Sequence, residues 1–173
     1  MNQIDISLIL FNILPALVVG AVAYYFFHTN AKTEERHRRF KIIRENQRTA
    51  LPIKLQAYER MALFLERISP GKILFRVKPT SEDNKAYESL LIRTIEQEFE
   101  HNLAQQIYLS LECWDYIKTA KNATIALIRK ANQQEEVTDA DKLREVILTN
   151  LMEKQAPTEA ALAYIKKEVR ELI

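Results

Sequence analysis

Glycine is nearly absent: Gly20 and Gly71 are the only two in 173 residues. That argues against the glycine-rich loops that cradle nucleotide phosphates. A single cysteine, Cys113, excludes a disulfide framework and any multi-cysteine zinc site. Three histidines leave little for metal or acid–base chemistry. A charge excess is missing as well. Lysine plus arginine number 25 and aspartate plus glutamate 23, a net charge of +2. A general nucleic-acid binder carries a clear basic surplus, so nucleic acid is not an expected partner. The last absence is local: no lysine or arginine precedes Lys32.

What fills that first stretch is apolar. Residues 4–27, IDISLILFNILPALVVGAVAYYFF, hold one charge, Asp5. A membrane-spanning helix needs about 20 apolar residues, so the run predicts an uncleaved transmembrane helix. A signal peptide fits less well, because the basic flank follows the run and Tyr24-Tyr25-Phe26-Phe27 is a poor cleavage site. Lys32, Arg36, Arg38, Arg39, Lys41 and Arg44 all lie downstream, which predicts a short outer tail at 1–3 and a cytoplasmic C-terminal part. The expected location is therefore a bacterial inner membrane, crossed once. Asn12, Ala16, Gly20 and Ala23 share one helical face, small enough for another helix to approach closely. Small residues are also simply common in such helices.

Residues 28–50 read as a basic connector helix. Arg36, Arg38, Arg39, Lys41 and Arg44 are candidates for contact with anionic lipid head groups, or only set the topology. From 51 to 173 the pattern predicts a compact cytoplasmic helical domain of about four to five helices. Ile53, Ala57, Met61, Phe64, Leu65 and Ile68, widened by Tyr58 and Leu63, form a core stripe on a helix from about Pro52. Ser69-Pro70-Gly71 stops it. Ile73, Phe75 and Val77 then alternate as in a short strand, and 106–109 is a possible partner strand. Thr80 or Ser81 is the expected cap of a helix with Tyr87, Leu91, Ile95 and Phe99 inward. Ser110 caps a long helix to about Gln133. Thr138-x-x-Asp141 resembles a capping box, and Pro157 opens the last helix. The fold class is mainly α.

Chemistry is scarce. Glu34-x-x-His37 and Glu98-x-x-His101 match half of a di-iron motif, which also needs two further inward glutamates from other helices; arginines surround His37, and Glu98 and His101 sit near a helix end, where a cationic histidine is favoured anyway. Cys113, in the first turn of a helix, reads as a small buried side chain more than as a nucleophile. No metal, cofactor or small-molecule substrate is expected, nor an enzyme. The densest feature lies on residues 51–70, where Gln56, Arg60 and Arg67 form a surface strip flanked by Glu59 and Glu66. It is either ordinary helix-surface charge or a docking strip.

The wording LPIKLQAYERMALFLERISPGKILFRVKP, then EQEFEHNLAQQIYLS, with Pro15-Ala-Leu17 upstream and PTEAALAYIKKEVREL at the end, resembles an uncharacterised family of small membrane-anchored Bacteroidota proteins. The resemblance implies location and architecture, not mechanism. The expected function is a non-enzymatic, membrane-anchored adaptor or accessory subunit of an inner-membrane complex. It would touch lipid and a protein partner, or a second copy through the span. The alternative is a self-associating stalk protein, and an enzyme of unrecognised type ranks third.

Overall fold

The structure, a computed structural model, describes residues 6–153 and 155–173. Every element among the described residues is helical. In chain order they are α1 (Ile6–Ile68), α2 (Pro70–Arg76), α3 (Asn84–Asn102), a 3-10 helix (Leu103–Tyr108), α4 (Leu111–Asn132), α5 (Ala140–Glu153) and α6 (Thr158–Leu172). The chain divides into two compact units, Met1–Ala50 and Leu51–Ile173.

In the first unit the membrane expectation is overturned. Among the described residues no helix is long and apolar enough to cross a membrane. Residues 4 and 5 lie outside the described residues, and apolar side chains are described only from Ile13 to Phe27. The single-pass inner-membrane topology inferred from that span, with its outer tail and cytoplasmic domain, is withdrawn with it. Tyr24 stacks on His28 with ring centroids 5.9 Å apart, and Thr49 Oγ1 donates to the Glu45 carbonyl at 3.1 Å.

The second unit has a core in which α4 packs against α3, α5 and α6, while α5 also meets α2 and α3. From α1 it receives Tyr58, Met61, Phe64, Leu65 and Ile68, and from α3 Tyr87, Leu91 and Ile95. From α4 come Cys113, Trp114, Ile117, Ile125 and Ile128. On each helix these positions recur every three to four residues, the spacing that keeps one face inward.

Two expected strands are helices instead. Residues 73–76 belong to α2, with Pro70 at its first position, where the missing N–H costs nothing. Ile73 and Leu74 are buried, while Phe75 is 84 % exposed. The alternation of three apolar residues was too short to separate period two from a single helical turn. Residues 106–108 lie in the 3-10 helix, so the 73–77/106–109 pairing does not form.

Caps decide the remaining boundaries. Asp83, not Thr80 or Ser81, caps α3 and accepts from the Lys85 N–H at 2.9 Å. Asp139 caps α5, one residue after the expected Thr138: its Oδ1 accepts from the Lys142 N–H at 2.8 Å, and Thr138 Oγ1 donates to its other oxygen at 3.0 Å. Ser110 caps α4 as its position suggests, accepting from the Cys113 N–H at 3.0 Å. Ser110→Ala should therefore destabilise the fold by about 1 kcal/mol, read from urea midpoints, whereas Thr80→Ala and Ser81→Ala should leave them unchanged. Between helices, the Ala140 N–H donates to the Glu82 carbonyl at 2.9 Å, and Asn84 Nδ2 to the Val137 carbonyl at 3.1 Å.

Candidate functional site

At 100° per residue, Ile53, Gln56, Arg60, Leu63 and Arg67 fall within an arc of about 80° on α1. All five are exposed. The core stripe, centred on Met61, Leu65 and Ile68, occupies the neighbouring arc. Ile53 and Leu63, assigned above to that stripe, instead stand 48 % and 58 % exposed among the polar residues of the strip. Their angular position was available in the sequence and is the signal that separates them from the core.

Arg67 is tied to two other helices through Glu98 of α3. Its Nε and Nη2 donate to Glu98 Oε1 at 3.0 and 2.7 Å. Arg76 of α2 donates Nη1 to the same oxygen at 2.8 Å. Burial alone would raise the Glu98 pKa, but the hydrogen bonds and charges of Arg76 and Arg67 outweigh it, so the carboxyl titrates below its ordinary value. Two guanidiniums on one carboxylate leave one positive charge over. Arg60 makes no hydrogen bond or ion pair with the described residues, and Glu66 pairs with Lys72. Glu59 lines a groove of ≈ 380 Å³ between α1 and α6, with Lys166 and Arg170 on its other wall.

The arginine contacts also occupy Glu98 as a metal-ligand candidate. Glu34 and His37 have side chains outside the described residues. Among the described residues no group of three or more potential ligands converges on one point. Cys113 is fully buried. Burial, and after it the Glu168 carboxylate, push its thiol up to about 12. That is the wrong direction for a nucleophile, which needs a thiolate near neutral pH. Tyr58, also buried, is pushed up by the same two causes in the same order. Among the described residues its hydroxyl and Glu168 Oε2 have no hydrogen-bond partner.

Of the other candidate residues, Ala16, Gly20 and Ala23 are exposed, and among the described residues nothing beyond the adjoining residues and the helix's own backbone lies within 4 Å of where a Cβ on Gly20 would sit. The side chains of Asn12, Arg36, Arg38, Arg39, Lys41 and Arg44 lie outside the described residues. Leu103, Ile107 and Leu111, flanking the turn into α4, are exposed at 41 %, 73 % and 86 %.

No curated protein and no solved structure is significantly similar to the chain. A family of unknown function, DUF7935, matches residues 4–172, and the chain belongs to it.

Proposed function

We propose that this member of DUF7935 is a non-enzymatic adaptor or accessory subunit of a protein complex, and that its contact is the Gln56, Arg60 and Arg67 strip of α1. The observation that carries the reading is Leu63, an apolar side chain 58 % exposed between two arginines. Isolated exposed leucines are ordinary; this one shares its strip with Ile53 and with two guanidiniums, and arginine is enriched at protein interfaces. The one thiol is buried and its pKa is raised, which disfavours a thiolate nucleophile. The LPIKLQAYERMALFLERISP wording points to a Bacteroidota source, so the complex would be bacterial.

Isolation of the full chain under native conditions tests this. The chain is expected in a discrete heteromeric complex, and Leu63→Glu should release it while leaving its helical circular dichroism unchanged. Recovery as a free monomer, or as homo-oligomers indifferent to Leu63, would sink the adaptor reading. A homo-oligomer that Leu63→Glu dissociates would replace it with self-association.

A further inference from the structure

We infer that the α1 strip receives an acidic amphipathic helix from a partner protein, with carboxylates seven residues apart reaching Arg60 and Arg67 and an apolar side chain between them resting on Leu63. The inference rests on the adaptor reading and names the chemistry of its partner. Arg60 and Arg67 are two helical turns apart, a rise of about 10.5 Å. A second helix lying along the strip presents carboxylates at the same interval when they are seven residues apart. Leu63 falls between the arginines, and Ile53 extends the apolar contact toward the start of the unit.

Charge decides the sign of the partner. Within the arc there are two arginines and no carboxylate. Glu98 accepts from both Arg67 and Arg76, so these three groups together carry one positive charge, and Arg60 adds another. The nearest acidic residues are otherwise engaged or face elsewhere: Glu66 pairs with Lys72, and Glu59 borders the groove shared with Lys166 and Arg170.

Geometry adds a second argument. Glu98 grips Arg67 through Nε and Nη2. The long side chain is therefore already ordered, while 45 % of it stays open to solvent. An arginine held in place loses less rotamer freedom when it binds, so more of each new hydrogen bond appears as affinity. Glu98 is in this sense a positioning residue for Arg67.

The test uses the full chain and a fluorescent synthetic helical peptide with two glutamates seven residues apart and a leucine between them. Saturable binding is expected, weakening as salt is raised. Arg60→Glu and Leu63→Glu should each weaken it about tenfold or more. A peptide with lysines in place of the glutamates should bind Arg60→Glu better than it binds the unaltered chain. Both substitutions are at exposed positions, and circular dichroism checks that the fold is kept. Equal binding of a glutamine-for-glutamate peptide would overturn the proposal, as would wild-type affinity in Arg60→Glu. So would binding to phosphatidylglycerol vesicles with none to the peptide, which would make the strip a lipid contact. If the peptide fails while the native complex still depends on Leu63, only the acidic partner is lost. If the complex ignores Leu63, the adaptor reading itself is gone.

Discussion

Trp114→Ala is expected to cost about 3–5 kcal/mol, the range for truncating a large buried aromatic. Trp114 is 8 % exposed. It stacks on Phe99 at 5.3 Å between centroids, and Phe99 in turn meets Phe64 at 5.7 Å. One side chain thus joins α4 to α3 and, through Phe99, to α1. Lys121 Nζ lies over the Phe99 ring, 4.7 Å from its centroid. Removing the indole leaves a cavity and breaks the aromatic contact, worth a further ~1 kcal/mol. Domains of this size have total stabilities of about 5–15 kcal/mol, so the variant should sit near the edge of folding. The melting temperature should fall by roughly 10–20 °C. Circular dichroism is the right probe, because the substitution removes the chain's only tryptophan. A shift of a degree or two would show that the stack contributes little.

The second large effect is alkaline. In an unfolded chain a thiol titrates near 8.5 and a phenol near 10. In the fold Cys113 is pushed up to about 12, chiefly by burial and then by Glu168, and Tyr58 and Tyr87 are raised, both chiefly by burial. Above pH ~8.5 the folded state therefore holds protons that the unfolded state has lost. Stability is fully present below that point and must decline as pH rises toward the folded values. Cys113 acts alone up to pH ~10, with a limiting slope of about 1.4 kcal/mol per pH unit. The tyrosines steepen the decline above it. Urea midpoints of the full chain, measured from pH 7 to 10, should fall, and Cys113→Ala should flatten that first stage. A midpoint in the unaltered chain that stays constant to pH 10 would show that the thiol is not held neutral.

The helices of the second unit were legible where an apolar stripe ran for three or more turns. Leu91 and Ile95 of α3, Ile117 and Ile128 of α4, and Leu143 and Ile147 of α5 are inward by period alone. Ser110 was legible as a cap because a serine directly precedes the periodic run. Asp139 was missed by one residue, since Thr138 offered the more familiar pattern while the shorter reach to the Lys142 N–H belonged to its neighbour. The Ile73–Val77 segment failed because five residues carry either period. Residues 4–27 were read from hydropathy summed along the chain, and among the described residues no helix is long and apolar enough to cross a membrane. Of the candidate strip, the shared face of Gln56, Arg60 and Arg67 follows from helix geometry. The grip of Glu98 on two arginines does not, because it brings together residues 31 and 22 positions apart, which nothing local in the sequence links.

The crossing between the two loops that precede α3 and α5 has a consequence for local opening. The Ala140 amide is bonded to the Glu82 carbonyl, and Asn84 reaches the Val137 carbonyl. Neither helix start can fray without releasing the other, so the two first turns form one cooperative opening unit. In native-state hydrogen exchange the amide protons of Tyr87, at the start of α3, and of Ala140 and Leu143, at the start of α5, should share one opening free energy. Asn84→Ala should lower protection at all three together, across more than 50 residues of intervening chain.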